Sequence, residues 1–235
     1  MREKVTKAAR GQQGPGVLAG PGVLFDGTGA LPVRRISDGG RDGTRTVIVN
    51  GEEEILIEKD EKKVVVYVGE NKSARVRLVG KGAEAKVLGI TVGSGGDSLE
   101  MDVRVVHESP ETSAEIILCG VAYEESKVTI KGSVVIKKGA RLASDTLKED
   151  LLLVGEAAKG ETYPFLEIEE NDVTAKHAAT VGRIDETQLF YLASRGIART
   201  EAERMLVVAF LWPVLGEVPE TERAMIEGRL RQPYE

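Results

Sequence analysis

The sequence predicts a mainly β protein, a β-solenoid followed by a small helical domain, on three observations. Short runs of alternating apolar and polar residues begin near residue 44, and turn residues recur at roughly even intervals of ten. Aromatic residues are only 4% of the chain, which indicates a narrow core of Val, Ile and Leu. After Gly182 the apolar spacing becomes helical. Even strand spacing also fits a sandwich or a barrel, and the narrow aliphatic core favours the solenoid.

The composition limits the classes of function. The 235 residues are 41% hydrophobic and 30% charged with a net charge of −6, which argues against a nucleic-acid or anionic membrane surface. We find neither a run of about 18 apolar residues nor an apolar signal peptide after Met1, and Cys119 is the single cysteine. We therefore expect a cytoplasmic protein with no nucleic-acid or membrane partner.

The first 43 residues are predicted to be an irregular arm. The segment Gly-Pro-Gly-Val-Leu occurs at 14–18 and again at 20–24, and Gly and Pro at this density oppose both helices and central strands. Gly14–Ala19 superficially fits a dinucleotide-binding fingerprint. No strand precedes it and Pro15 removes an N–H that would bind phosphate, so we predict no nucleotide site.

The next segment carries the predicted strands. Clear alternation is seen in Glu54–Glu58 and Lys127–Lys137, and the last predicted run is Phe165–Thr180. The predicted domains are an arm at 1–43, a β-solenoid at 44–182 and a helical domain at 183–235.

Capping signals organise the helical domain. Asp185 is placed to cap a first helix and Gly196 to end it. Thr200–Glu203 reads as a capping box for a second helix. Its run 205–212 is apolar nearly all round, which predicts burial on most sides, either within the chain or by another chain, and Pro213 should end or kink it.

His177 lies in the most informative strand. Alternation places it on one face with Val173, Ala175, Ala179 and Val181. A titratable imidazole on a small apolar face is either a core histidine with one satisfied partner or a functional group. The strand alone leaves both open.

Other chemistries find little support in the sequence. His107, Cys119 and His177 are far apart without metal-ligand spacing, so a closed zinc site is not expected. Cys119 reads as a small buried hydrophobe. No nucleophile elbow is present, and the acidic pair Glu149-Asp150 reads as solvated loop charge.

The last 90 or so residues of the chain resemble the SufB/SufD family, the scaffolds of the SUF system for iron–sulfur cluster assembly. The resemblance is carried by Asp145–Gly155, Pro164–Ile168 and Asp172–Ile197, in which His177–Asp185 and Gln188–Leu192 are the most specific stretches. A weaker likeness extends upstream through His107–Ser113 and Gly132–Ile136.

The resemblance implies a right-handed parallel β-helix with a C-terminal helical domain. It also implies a non-enzymatic scaffold that pairs, as a homodimer or with a SufB/SufD paralogue, through the end of the β-helix. The helices would bind a SufC-type ABC ATPase. The cargo would be iron or a transient iron–sulfur cluster, with no stably bound cofactor.

Site residues follow by matching positions. His177 matches a histidine at the family's subunit interface, where neutral imidazole could bind iron. Ala178 stands where the SufB branch carries glutamate, and Glu149 about where that branch carries an essential cysteine, so the chain resembles the SufD branch. The candidate ATPase-binding residues are Phe190, Tyr191, Arg195 and Phe210. Two alternatives are a structural or regulatory relative without cluster chemistry and a β-solenoid enzyme.

Overall fold

The computed structural model describes residues 34–37, 44–49, 53–68, 72–218 and 220–231. In this part of the chain, strands come first and three helices follow. The strands are β1 Arg34–Ser37, β2 Arg45–Val49, β3 Glu53–Ile57, β4 Lys62–Val68, β5 Lys72–Leu78, β6 Glu84–Gly93, β7 Ser98–His107, β8 Ser113–Tyr123, β9 Lys127–Ile136, β10 Ser144–Val154, β11 Lys159–Ile168 and β12 Thr174–Arg183. The helices are α1 Glu186–Ser194, α2 Arg199–Leu215 and α3 Glu220–Arg231.

Successive strands from β2 onward alternate between two sheets. A seven-stranded sheet has the order β1-β2-β4-β6-β8-β10-β12, and a five-stranded sheet has the order β3-β5-β7-β9-β11. We call them sheet A and sheet B. All pairs are parallel except β1 with β2. A chain that moves sideways by one strand at each return is a β-solenoid, which confirms the predicted fold.

Aliphatic ladders fill the narrow space between the sheets. One ladder in sheet A stacks equivalent inward positions of successive strands, and each of its members is at most 1% exposed. Because parallel register repeats from one rung to the next, the same small shape recurs and aromatic residues are not needed. The ladder runs through Val47, Val65, Val87, Ile116 and Leu147, and the next position in it is His177.

The caps of α1 are as predicted and that of α2 is not. Asp185 accepts a hydrogen bond from the Thr187 N–H at 2.8 Å, and Gly196, with φ of +82°, follows the end of the helix. Helix α2 begins at Arg199, after Ala198, which provides no side-chain cap. The predicted capping box at Thr200–Glu203 is therefore wrong, because these residues already lie inside the first turn.

Helix α2 packs on the outer face of sheet A, against β6, β8 and β10. Val207, Leu211 and Leu215 are fully buried, whereas Met205 is 41% and Trp212 55% exposed. The predicted burial of this run on most sides is not reached within the described chain, where the solenoid covers one side of the helix; burial of the other side by another chain stays a prediction. Helix α2 also continues past Pro213 to Leu215, so the proline does not end it.

Two further predictions change in the structure. The run Phe165–Thr180 is split, since β11 ends at Ile168 and β12 begins at Thr174. Within the predicted arm, Arg34–Ser37 forms a strand; the rest of the arm, including Gly14–Ala19, lies outside the described residues. Among the helices that are described, none is long and apolar enough to cross a membrane.

Candidate site at the open end of the solenoid

Strands β11 and β12 form the last rung, and no further strand of the described residues covers them. Each has a hydrogen-bonded neighbour on one side only, β9 and β10 respectively. Tyr163 and Phe165 on β11 are 53% and 56% exposed, and Val181 on β12 is 43% exposed. Val181, whose register partner Leu151 in the inner rung is 1% exposed, therefore faces solvent, and the outward side chains of Tyr163 and Phe165 add exposed apolar surface at this end.

His177 occupies an inward position of this last rung. It pairs in register with Leu147, which is 1% exposed, yet His177 itself is exposed. No hydrogen bond or ion pair of its ring is found within the described residues. The sequence left two interpretations of His177 open, a core histidine with one partner and a functional group. The first does not fit this structure, because the imidazole ring is exposed and has no hydrogen-bond partner among the described residues.

Glu149 lies one rung inward, on the same side of sheet A. It is 0% exposed, and neither carboxylate oxygen has a hydrogen-bond partner. Its Oε1 lies against Gly132 of sheet B, where a Cβ would overlap it. Burial raises the pKa of Glu149 to about 7, an effect that the nearby Gly132 amide offsets only in part. Reading Glu149-Asp150 as solvated loop charge is therefore wrong for Glu149.

The two residues are diagonal neighbours across β10 and β12. Glu149 pairs with Ala179, and His177 lies two residues before Ala179 on the same face. Strand spacing and rise per residue place their Cα atoms roughly 8 Å apart. Among the described residues, the methyl group of Ala179 is the one side chain that follows Glu149 toward the open end in this ladder. An imidazole and a carboxylate so placed are ligands that suit divalent iron.

The other histidine, His107, is the buried structural one. Its Nδ1 is 2.8 Å from Thr112 Oγ1, and its Nε2 is 3.0 Å from Asp145 Oδ2. The Thr112 hydroxyl donates to the Ser109 carbonyl, so it must accept from His107 Nδ1–H. All three side chains are buried, and burial raises the pKa of Asp145 while His107 lowers it. Sequence reasoning missed this network because Asp145 lies 33 residues after Thr112 in the chain, so no local pattern joins them.

Cys119 lies on the other side of sheet A from Glu149. It is 1% exposed, on the outer face over which α2 packs. Burial raises the pKa of its thiol to about 12, with a smaller contribution from Asp150. The prediction of a small buried hydrophobe agrees with this position. Its thiol does not reach the end of the solenoid.

The candidate ATPase-binding residues divide into two groups. Phe190 and Tyr191 on α1 are 76% and 57% exposed, and Arg195 stacks 5.2 Å from the Tyr191 ring. Phe210 on α2 is only partly exposed and is on the opposite side of the helix from Trp212. Sequence reasoning overlooked Met205 and Trp212, which share the open face of α2, because an almost wholly apolar run gives no sign of which side is covered.

Within the described residues, no group of three or more His, Cys, Asp or Glu side chains could hold a metal ion. His177 and Glu149 are two candidate ligands of different type, and no third such side chain groups with them in this part of the chain.

Comparison with known proteins agrees with the geometry. Residues 67–210 match the family described as SUF system FeS cluster assembly, SufBD core domain. The chain is 36% identical over 144 residues to an iron–sulfur cluster assembly SufBD family protein of Mycobacterium leprae. It is 37% identical over 155 residues to the iron–sulfur cluster assembly protein SufD of Bacillus subtilis, and 32% identical over 142 residues to SufB of the same organism.

These matches cover different shares of the proteins compared. They span 61%, 66% and 60% of this chain in that order. They span 17% of the mycobacterial protein, 34% of SufD and 30% of SufB. The chain thus spans a minor part of the length of each of these relatives.

Proposed function

Because the chain belongs to the SufBD core family of the SUF iron–sulfur cluster assembly system, we propose that it is a SufD-like scaffold subunit that presents an iron-binding half-site at its open end. The observation that carries the proposal is His177, an exposed imidazole in a ladder whose inner members are all aliphatic. A residue that served only to pack on the rung beneath it would be aliphatic, like the inner members of this ladder. The imidazole of His177 is instead exposed and unpaired among the described residues.

Glu149 is the second group of the half-site. Its carboxylate is buried without a hydrogen-bond partner, which is unfavourable for a purely structural residue. Carboxylate oxygen and imidazole nitrogen suit iron as cargo. Described residues near the end supply no thiolate, so this subunit would contribute N and O ligands while a partner contributes sulfur.

The proposal includes two partners and no enzymatic activity of the chain itself. A SufC-type ABC ATPase would bind the helical domain, where Phe190, Tyr191 and Trp212 supply exposed aromatic surface. A homologous subunit would meet the open end. Lys86 connects the solenoid to the helical domain. Its ammonium group forms ion pairs with Glu115 on β8 at 3.2 Å and with Glu217, just after α2, at 2.6 Å. A movement of the helices would be transmitted to the solenoid through these contacts. A chain with one cysteine fits a cytoplasmic setting.

Anaerobic titration with ferrous iron tests the half-site. We expect His177→Ala to weaken iron binding and cluster formation while leaving the unfolding curve unchanged, since the ring is exposed. The matched control is Lys176→Ala on the outward side of the same strand, which should behave as the parent chain. Iron binding that is identical in the parent and in His177→Ala would overturn the proposal.

A second candidate function is a structural or regulatory relative that keeps the partners without cluster chemistry. The buried position of Cys119 and the presence of Ala178 favour it. Reconstitution with iron and sulfide in the presence of the ATPase and a paralogous subunit separates the two functions. Visible absorbance of a cluster that depends on His177 supports the first, and its absence with all partners present supports the second.

A further inference from the structure

A polar groove crosses the outer face of sheet B, on the opposite sheet from the one that α2 covers. It has a volume of about 400 Å³. Its polar lining residues are Glu54, Ser73, Arg75, Asp102, Arg104 and Ser133. Met101 and Val103 of β7 point into the core and are at most 1% exposed. The alternation of the strand therefore turns Asp102 and Arg104 outward, away from the inward-facing candidate site of sheet A.

Two arginines lie side by side in this groove. Arg75 of β5 and Arg104 of β7 are in register, so their Cα atoms are about 5 Å apart. Like charges at such positions destabilise a sheet, and an anion placed between them would remove the repulsion. Arg75 has the carboxylate of Glu54 at 4.0 Å, and that carboxylate lies closer to Arg77, at 3.4 Å. For the Arg104 side chain, the described residues supply neither an ion pair nor a hydrogen bond, and its Nε is buried.

Asp102 presents a carboxylate without a partner in the same groove. It lies two residues before Arg104 on the outward side of β7, at a Cα separation of about 7 Å. Its side chain forms neither a hydrogen bond nor an ion pair within the described residues. Burial raises the pKa of Asp102, with a smaller contribution from Glu100, whereas Lys131 and Arg104 act in the opposite direction. A carboxylate and a guanidinium therefore share one groove while each lacks a partner.

A direct ion pair would be the ordinary arrangement for these two neighbours, and it does not form here. We propose instead that the groove binds a small α-amino acid, with its carboxylate on Arg104 and Arg75 and its ammonium group on Asp102. The forked donors of guanidinium match the two oxygens of a carboxylate. In an α-amino acid a single carbon atom joins the two charged groups, so side chains two residues apart on one strand can reach both.

Two serine hydroxyls indicate the side chain that the ligand carries. Ser73 is in register with Asp102, and Ser133 is in register with Arg104. A hydroxyl group both donates and accepts a hydrogen bond. The groove therefore favours an amino acid with a small polar side chain, such as serine.

The charges of the lining favour a zwitterion over a simple ion. Arg75 and Arg104 are balanced by Glu54 and Asp102, so the formal charge of the lining is zero. Asp102 repels a simple anion, and the two arginines repel a simple cation. A ligand with both charges satisfies the two unpaired groups together and leaves the net charge of the groove unchanged.

Ligand-observed NMR on the full chain tests the groove, with saturation-transfer difference spectra and a titration of L-serine. Two further probes each lack one charge of serine: ethanolamine has no carboxylate, and 3-hydroxypropanoate has no ammonium group. We expect saturable binding of serine with a dissociation constant of about 1 mM, since the groove is open to water, and roughly tenfold weaker binding of each of the other two. Arg104→Gln and Asp102→Asn should each weaken serine binding by roughly tenfold or more.

Lys159→Gln and Glu167→Gln are the matched controls. Both residues are exposed, outward-facing and outside the groove, on β11 of the same sheet, so both variants should bind serine as the parent does. Far-UV circular dichroism checks that each variant is folded.

Asp102→Asn gives a second readout, which a merely structural role would not change. The variant should lose the preference for serine over 3-hydroxypropanoate, because only the contact with the ammonium group is removed. The absence of saturable serine binding, equal binding of serine and 3-hydroxypropanoate by the parent, or equal weakening by the control variants would overturn the proposal. No iron, sulfide or partner chain is present, so this outcome is independent of the iron-binding test.

Discussion

Replacing Glu149 by glutamine removes a titratable group from the core while preserving its shape. The folded chain raises the pKa of Glu149 to about 7, against an ordinary value of 4.5. Between these two pH values the folded state holds a proton that the unfolded chain releases. The contribution of Glu149 to stability is therefore complete at pH values below 4.5, and it is lost as the pH rises through 7.

The magnitude follows from the size of the pKa change. At 1.36 kcal/mol per pKa unit, the difference between 4.5 and about 7 corresponds to about 3 kcal/mol of unfolding free energy. The Glu149 carboxylate is 0% exposed and has no cationic partner, so solvent screening and ion pairing do little to reduce this figure. Glu149→Gln should therefore gain up to about 3 kcal/mol relative to the parent between pH 5 and pH 8.

Urea denaturation followed by far-UV circular dichroism measures this gain. Unfolding free energies are compared at several pH values from 5 to 8, and the difference between parent and variant isolates Glu149 from the other carboxyl groups. Glu125→Gln is the control, because Glu125 is an exposed residue at the turn before β9. We expect Glu125→Gln to have about the stability of the parent, because the side chain it replaces is exposed.

A difference between parent and Glu149→Gln that stays constant over this pH range would refute the reasoning. It would mean that the carboxylate is solvated or paired in solution. A pH-dependent loss in the variant, the opposite sign, would mean that the charged form of Glu149 is the stabilising one.

Three further predictions concern the other candidate residues. His107→Ala should cost about 3 kcal/mol of unfolding free energy, because it leaves Asp145 buried without its partner; His177→Ala, measured in the same urea experiment, should cost less than about 0.5 kcal/mol. Cys119 should react with a thiol reagent at pH 8 only at the rate of unfolding, and fast labelling of the native chain would contradict its burial. Trp212→Ala should weaken co-purification of a SufC-type ATPase without changing thermal stability, whereas Leu211→Ala on the buried side of α2 should lower stability by about 2–5 kcal/mol.

Much of the fold could be predicted because the strand pattern is local. Alternation along Lys127–Lys137 correctly separates inward from outward positions, and the shortage of aromatic residues correctly indicates a narrow core. The caps of α1 were also predictable, since Asp185 and Gly196 act within a few residues of themselves. The division of Phe165–Thr180 into two strands was missed because the turn between them lacks glycine and proline.

The candidate site was only half predictable. His177 could be singled out from its strand, and the family resemblance directed attention to Glu149. Neither source indicated that Glu149 is buried without a partner, because that depends on Gly132 and Leu118 on other strands. The exposed face of α2 was missed for a similar reason, since Met205 and Trp212 differ from Leu211 only in what packs against them.

Neighbouring residues encode the alternation of the strands, the change to helical spacing after Gly182 and the side of its strand on which His177 lies, so these features could be read from the sequence; the scarcity of aromatic residues then favours a solenoid over a sandwich or a barrel. Which histidine is buried depends on packing between distant strands, and the structure shows that His107 is buried and His177 is exposed. Both face inward on their strands. What distinguishes them is whether another rung stacks above, and that depends on strands whose paired residues are 29 or 30 residues away in the chain.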